Sequence, residues 1–465
     1  MNDSVRSRST LVIPLIVGGA QFMHQFDGAV IATALPSMAA SLHEDPVRLN
    51  LAITTYLLAL AVFVPVSGWM ADRFGAKRVF MAAIAVFTVS SVLCGIAHSL
   101  LELVLYRVLQ GMGGAMMTPV GRVIVLRSVP KLQLVQAMNY ITIPAVLGPL
   151  LGPSVGGFMV TYFSWPWIFF INLPIGLAGI FMVRIFIPDV KAEAVTRLDL
   201  SGFALIGMAV AGLVFGFEAI GRGVVPATII LVSIAAGAVC SGFYLIHARR
   251  TTDPIIDLGL LRIRTFAASL TGGGLFYLST TSSVFLLALL LQLGFGLSAF
   301  QAGLMTLASA VGSLAMRFAF RPLLRPLGFR RLLICNAIVT GAFLIGCGFF
   351  RVTTPYLIIV VVLLIGGFSR SVQFTAVQSL AYAEMPSALF SRATSLLAMA
   401  QQLAQSFGVG LVALVVHLSL TRHGGAAMTP EDIGFGYFTI GILSLASVAV
   451  FYRLHPEAGA ELNDR

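Results

Sequence analysis

Apolar runs of about 20 residues, separated by short polar breaks, recur from one end of the chain to the other. The breaks delimit fourteen runs, at 11–35, 50–71, 79–97, 101–126, 134–160, 167–187, 200–218, 225–247, 266–293, 300–319, 331–350, 356–381, 393–418 and 433–453. Each is long enough to cross the ~30 Å hydrocarbon core of a bilayer. A backbone in hydrocarbon must satisfy its own hydrogen bonds, which leaves helices or a closed barrel. Barrel strands would alternate apolar and polar residues over about ten positions, and no such alternation is present. The pattern predicts fourteen transmembrane helices. Pro36, Pro188 and Pro355 flank runs, and Trp165 and Trp167 stand at a boundary, where amphipathic rings favour the interface.

Composition sharpens this reading. Hydrophobic residues make up 58% of the 465 and charged residues 10%, against about 25% charged in an ordinary globular protein. Mean hydropathy is +0.96. Soluble, secreted and disordered classes are excluded. The first ten residues are polar and basic and lead into an apolar stretch of more than 20 residues holding His24 and Asp27. A signal peptide has an apolar region of about 7–15 residues, so this stretch is expected to be a retained first helix.

The net charge of +11 does not mark a nucleic-acid binder, because the basic residues lie in the breaks rather than on one face. With a cytoplasmic N-terminus and fourteen spans, 21 of the 29 Lys and Arg fall on the cytoplasmic side and 4 on the other. That split obeys the positive-inside rule. The expectation is a multi-pass protein of the cytoplasmic (inner) membrane, both termini cytoplasmic, functional as a monomer. Cys94, Cys240, Cys335 and Cys347 all lie in apolar runs without metal-ligand spacing. No Walker loop or HExxH pattern occurs, so no cofactor, metal or ATP hydrolysis is expected. Energy then comes from an ion or solute gradient.

Several segments carry more than hydrophobicity. Gly68-Trp-Met-Ala-Asp72-Arg73-Phe-Gly75-Ala-Lys77-Arg78 ends a helix at the cytoplasmic face. A carboxylate at a helix C-terminus opposes the helix dipole. Asp72 therefore calls for a basic partner or another helix's N-terminus, and the segment reads as a conformational clamp. A faint repeat links Gly75–Arg78 (Gly-Ala-Lys-Arg) with Gly328–Arg331 (Gly-Phe-Arg-Arg). In the fifth run, Gly148-Pro149-Leu-Leu-Gly152-Pro153-Ser-Val-Gly156-Gly157 offers small residues for close helix approach and prolines that permit a bend. The same stretch fits G-x-S-x-G, but a hydrolase needs a strand–turn–helix elbow there, and a transmembrane helix provides none.

A charge within a span costs about 2.5–3.5 kcal/mol on insertion scales, so each is a functional candidate. Asp27 is the one acid well inside a run; Glu102 and Glu218 sit near run ends. Arg122 and Arg317 lie near cytoplasmic ends, where heads can snorkel, while Arg107 and Arg370 are deeper. His24, at i−3 from Asp27, shares its face, either tuning the acid or simply packing. Arg370 lies fifteen residues from Pro355, roughly 22 Å at 1.5 Å per residue, with Gln373 one turn on. A cation facing a cavity there favours anionic or carbonyl-bearing solutes; snorkelling to headgroups is the alternative. Gln21, Tyr56, Asn139, Ser282, Gln401 and Gln405 add uncharged polar groups on several helices. With His24, Arg370 and Gln373 they are candidates for a common substrate cavity, although helix-to-helix hydrogen bonds would explain any one of them.

These motifs resemble the major facilitator superfamily. The Gly68–Arg78 segment is similar to its G-x-L-x-D-R-x-G-R-K loop, with Met70 for Leu and Ala76 for one Arg. Arg107-Val-Leu-Gln110-Gly111-Met-Gly113-Gly114-Ala115 resembles the R-x-x-Q-G-x-G-A motif, and Gly148–Gly157 the antiporter motif G-P-x-x-G-P-x-x-G-G. Trp165-Pro-Trp167-Ile-Phe-Phe-Ile-Asn172-Leu-Pro174-Ile-Gly176 resembles the W-R-W-I-F-F-I-N-x-P-I-G segment of the fourteen-helix drug:proton antiporters of the EmrB/QacA kind. Pro166 replaces the Arg there, and the likeness is closest to MdtD-like members. Phe26-Asp27 through Leu35-Pro36 resembles the L-D-x-T-I-V-N-V-A-L-P start of these exporters, with Ala29 and Ala32 in place of Thr and Asn.

The resemblance implies an all-α fold of two six-helix bundles, here 1–190 and 263–465, with two inserted helices and a linker at 191–262. It implies export of small organic molecules or drugs in exchange for protons by alternating access. Asp27 and Arg107 become the proton-coupling pair. Each lies about 12–13 Å from the outer end of its helix, so they are level, and in this superfamily the two helices are neighbours. Burial favours a protonated carboxyl and a nearby Arg an ionised one, so alternating access can bind and release a proton. The late runs lack a deep acid and hold Arg370, which leaves an exporter of small organic anions as an alternative. A polytopic membrane enzyme is a remote one, since no cluster of His, Asp or Cys accompanies the fold.

Overall fold

The computed structural model describes residues 3–189, 197–220, 225–297, 299–422 and 428–462, the side chains of residues 3–10, 32, 46, 47, 143, 145, 146, 150, 153, 299 and 300 being outside that set. Among these residues the elements are helices only. They run α1 (Asp3–Leu42), α2 (Pro46–Phe63), α3 (Ser67–Phe74), α4 (Ala76–Gly95), α5 (Leu100–Ser128), α6 (Leu134–Tyr162), α7 (Trp167–Phe170) and α8 (Asn172–Phe186). Then follow α9 (Leu200–Ile220), α10 (Ala227–Arg250), α11 (Arg264–Leu289), α12 (Ala299–Gly348), α13 (Tyr356–Ala381), α14 (Phe390–Arg422) and α15 (Pro430–Tyr452).

Every expected span falls on helix. Among the described residues ten helices are long and apolar enough to cross a membrane, or eleven with α6, which bends by 43° between Lys131–Pro149 and Ser154–Tyr162. One of the ten, Gln301–Gly348, contains two expected spans. The two are separated by a kink at Gly328, whose φ of 69° and ψ of 169° are non-helical. Gly75, between α3 and α4, has φ 90° and ψ 131°. The two members of the faint sequence repeat thus share a left-handed, extended backbone that favours glycine. α1 and α5, which carry Asp27 and Arg107, are 40 and 29 residues long. Pro36 does not close α1 as the sequence suggests; the helix continues to Leu42, because Met38 and Ala39 beyond the proline are buried in the core.

The chain divides into two compact units. Unit 1 comprises Met1–Phe215, Ala235–Leu258 and Pro386–Met399; unit 2 comprises Gly216–Ile234, Gly259–Met385 and Ala400–Arg465. The core of unit 1 gathers Phe26, Val30, Ile31, Ala34, Cys94, Leu103, Ile168 and Phe169 around the middle of α1. The core of unit 2 gathers Leu286, Leu290, Leu344, Ile359, Val412, Ile433 and Tyr437 from α11 to α15. α9 and α10 pair through glycine in each unit, Gly237 against Ala209 and Leu213 and Gly216 against Ile234. α10 is the least enclosed of the apolar helices, with Gly237 and Tyr244 its buried residues.

In unit 1, α6 lies tightly on α1. A Cβ on Gly148 would come within 2.8 Å of the Phe26 backbone, and one on Gly152 within 2.6 Å of Ala29. A Cβ on Gly156 would strike Thr33 and Val30, whereas one on Gly157 meets nothing within 4 Å. The repeated glycine is therefore a flat track for the turns of α1 that bear Asp27. Overpacking such a contact costs about 1–3 kcal/mol. Gly152→Val should lower the thermal stability of the detergent-purified protein by that amount, while Gly157→Ala stays within about 0.5 kcal/mol; equal effects at the two sites would refute the packing assignment.

Candidate functional site

The first-helix acid and the fifth-helix base meet inside unit 1. Arg107 Nη1 donates to Asp27 Oδ2 at 2.6 Å, and both side chains are fully buried. Three further interactions hold the guanidinium. Its Nε donates to the Ala52 carbonyl of α2 at 3.2 Å, Nη1 also donates to Gln110 Oε1, and the group stacks 4.1 Å above the Tyr56 ring. Gly111 makes this possible, because a Cβ there would come within 2.6 Å of the Tyr56 carbonyl.

The other carboxylate oxygen is equally well served. Asp27 Oδ1 accepts from Gln110 Nε2 at 2.8 Å and from Asn172 Nδ2 at 3.2 Å. Both amides also donate to Ser91 Oγ, at 2.7 and 3.3 Å, and Ser91 gives its own proton to the Phe87 carbonyl. Asp27 thus accepts three hydrogen bonds from three donors, and all of them suit the ionised carboxylate. Gln110 and Asn172 stand within motifs that do not by themselves bring them to Asp27, and Ser91 belongs to none of the motifs. The i, i+3 spacing of Arg107 and Gln110 was the available signal. For Asn172 the signal was a lone amide within the apolar stretch Trp167–Ile175. Ser91 had none, since a serine that returns its proton to its own helix is ordinary in an apolar helix.

His24 does not contact Asp27. Its Nδ1 lies 2.6 Å from Tyr56 Oη, so it reaches the pair through the ring on which Arg107 stacks. Gln21 accepts from Thr118 at 3.1 Å, and Asn139 is buried. These four belong to unit 1, while Arg370, Gln373, Gln401 and Gln405 belong to unit 2. There Asn336 donates to Gln373 at 2.8 Å and Gln378 to Gln401 at 3.4 Å, whereas Gln405 and Arg370 are half-buried. Ser282 returns its proton to the Leu278 carbonyl. Arg122, expected to snorkel, is instead buried within α5, with Nη1 unpartnered. Arg317 is exposed. Glu102 caps α5 by accepting from the His98 amide.

At the end of α3, Asp72 has both kinds of partner its position calls for. Arg127, in the last turn of α5, donates to Oδ1 at 2.9 Å, and Ser391, in the first turn of α14, donates to the same atom at 2.6 Å. Gly68 lies against the same turn: its amide donates to Ser395 Oγ, and a Cβ would approach the Ser391 carbonyl to 2.5 Å. Lys77 donates to the Arg184 carbonyl at the end of α8, Arg78 lies 3.8 Å from Asp189, and Arg73 is exposed. Among the described residues no group of His, Cys, Asp and Glu converges as a metal site.

The family model described as Major Facilitator Superfamily matches residues 17–409 and 269–463. The chain belongs to the major facilitator superfamily. Relatives include the multidrug resistance protein MdtD of Pectobacterium atrosepticum, 36% identical over 448 residues and 95% of each chain. The MdtD of Escherichia coli K12 is 38% identical over 94% of this chain and 92% of its own. The fold is that of solved major facilitator structures: the human organic anion transporter MFSD10 (TM-score 0.66, 16% identity, 97% of this chain and 100% of the other) and the proton:xylose symporter XylE (TM-score 0.68, 16% identity, 97% and 96%). This is a multi-pass membrane protein with the architecture of a secondary transporter.

Removing one partner of a buried ion pair costs about 3–5 kcal/mol, because the other charge is left behind. Arg107→Met should lower the stability of the purified transporter by that amount. Asp27→Leu combined with Arg107→Met should cost less than the two single losses summed. Additive losses in thermal unfolding would mean that the two residues do not act as a pair.

Proposed function

We propose that this transporter exports small organic molecules or drugs across the cytoplasmic (inner) membrane in exchange for protons, with Asp27 as the proton carrier. The observation that carries the reading is a fully buried carboxylate on α1 held by Arg107, Gln110 and Asn172. A static buried pair gives little net stability for its desolvation. A pair that opens when the carboxylate takes a proton exchanges one balanced state for another. Protonation removes the charge that Arg107 neutralises and turns an acceptor of three hydrogen bonds into a donor. The guanidinium keeps the Ala52 carbonyl, Gln110 and the Tyr56 ring as partners, so its charge stays supported while Asp27 is neutral.

Two further parts complete the scheme. Gly68, Asp72, Arg73, Gly75, Lys77 and Arg78 act as a clamp, in which Asp72 latches α3 and α5 to the first turn of α14 through Arg127 and Ser391. Gly148, Pro149, Gly152, Pro153, Gly156 and Gly157 let the bent α6 follow α1 as it moves. The polar residues that serve solute binding are Gln21, His24, Tyr56 and Asn139 in unit 1 and, separately, Arg370, Gln373, Gln401 and Gln405 in unit 2. The names of the MdtD relatives support drugs as solutes. Residues 1–190 and 263–465 serve as the moving halves, with 191–262 inserted between them, and the transporter works as a monomer with both termini in the cytoplasm.

The test is purified protein in proteoliposomes with an imposed pH gradient and cationic, neutral and anionic solutes. Wild-type protein should move at least one solute against its gradient. Asp27→Asn should abolish pH-driven flux while retaining solute exchange, and Asp72→Asn should slow both several-fold without loss of expression. Full pH-driven flux in Asp27→Asn would refute the carrier role, and no pH-driven flux of any solute in wild type would refute the antiporter.

A further inference from the structure

A network of hydrogen bonds in unit 2 ends on a donor with nothing to receive it. On α13 the exposed side chains Leu357, Ile358, Val361, Leu364 and Ile365 mark one apolar face. At about 100° per residue, Arg370 projects from the opposite face, roughly 180° from the centre of that stripe. From Ser369 to Ala383 every residue is buried except Arg370 and Phe374, which stand one turn apart on that inner side. Phe374 packs edge-on against Tyr277 of α11. The guanidinium therefore points away from hydrocarbon, and snorkelling does not explain it. Among the described residues Arg370 has no hydrogen-bond or ion-pair partner. A guanidinium cannot shed its charge, and an unpaired one at this depth is costly.

One turn on, Gln373 is 1% exposed and its Nε2 has no acceptor. Its orientation follows from its neighbours. Asn336 Nδ2 donates to the Ser369 carbonyl at 2.9 Å, and a carbonyl can only accept. The same Nδ2 donates to Gln373 Oε1 at 2.8 Å. Ser369 Oγ donates to Asn336 Oδ1 at 3.0 Å and lies 2.7 Å from Thr340 Oγ1. With the Asn336 amide fixed by a backbone carbonyl, Gln373 must present its oxygen to Asn336, which leaves its buried NH2 without an acceptor. The helix thus carries a neutral donor one turn from a permanent cation, and the network supplies an acceptor to neither.

We propose that Arg370 and Gln373, the latter oriented by Asn336, form a subsite for an anionic oxygen group, carboxylate or phosphate, on the transported solute. Such a group offers the paired acceptors that a guanidinium recognises. The proposal rests on the export reading above and fixes the charge class of one part of its solute.

The test measures binding separately from transport. The full chain, purified in detergent, is titrated calorimetrically with benzoate, succinate, phenyl phosphate and the cation ethidium. At least one of the three anions should bind wild-type protein and bind Arg370→Gln at least tenfold more weakly. Gln373→Leu should weaken the same anion, and Arg370→Lys should recover part of the loss. Each variant should unfold within a few degrees of wild type, and ethidium binding should not weaken in Arg370→Gln. The inference is overturned if none of the anions binds wild type more tightly than it binds Arg370→Gln, or if Arg370→Lys is as impaired as Arg370→Gln. Anion binding that depends on Arg370, without any pH-driven flux, would instead refute the export reading and leave the subsite standing.

Discussion

A charged pair buried in the middle of a membrane protein constrains everything around it. Asp27 and Arg107 have no access to water, so the protein itself must supply every interaction that solvation would have given. On the carboxylate side it does so with two amides, from Gln110 and Asn172; on the guanidinium side a carbonyl, an amide oxygen and an aromatic face serve Nε, Nη1 and the guanidinium plane, while Nη2 is buried without a partner. These partners come from α1, α2, α5 and the start of α8, so the relative heights of four helices are set by one ion pair. The glycines of α5 and α6 serve the same end. Gly111 lets α5 approach α2, and Gly148, Gly152 and Gly156 let α6 approach α1, which brings the polar groups within reach at the cost of side-chain packing.

The same reasoning accounts for Asp72 at the end of α3. Its carboxylate faces the negative end of its own helix dipole, and the structure balances it with Arg127 and with a hydroxyl in the first turn of α14. The two carboxylates differ in exposure. Asp27 is sealed, while Asp72 and Arg127 remain 18% and 10% exposed. A sealed pair suits a site that changes protonation only when access opens; a partly wet pair suits a contact that forms and breaks as helices move.

Much of this was legible in the sequence because the bilayer restricts the possibilities. Run length gave the spans, and counting from Pro36 and Ser99 put Asp27 and Arg107 level, although α1 runs six residues beyond Pro36 to Leu42. Gly75 was marked by its motif, and its positive φ supplies the reason. What the sequence did not reveal depends on rotation of helices about their axes. Asn172 and Ser91 look like isolated polar residues in apolar stretches; only the packing of α8 on α1 turns Asn172 toward Asp27, and only that of α4 on α5 and α8 turns Ser91 toward the amides that hold the carboxylate. Arg122 shows the converse: its position near a helix end suggested a snorkelling head, and the packing of α5 buries it instead. Pro36 reads as a terminator by propensity, yet α1 runs on because the apolar residues beyond it have a core to enter.

The central claim is that the proton carried by this transporter resides on Asp27. Reciprocal linkage requires that a solute favouring the ionised site drive the proton off when it binds. The most direct measurement is the pH change when a transported solute is mixed with purified protein in weakly buffered detergent solution. Wild-type protein should release about one proton per bound solute at a pH where the site is protonated, and Asp27→Asn should bind the solute without releasing any. Undiminished proton release from Asp27→Asn would contradict the account and move the carrier elsewhere in the chain.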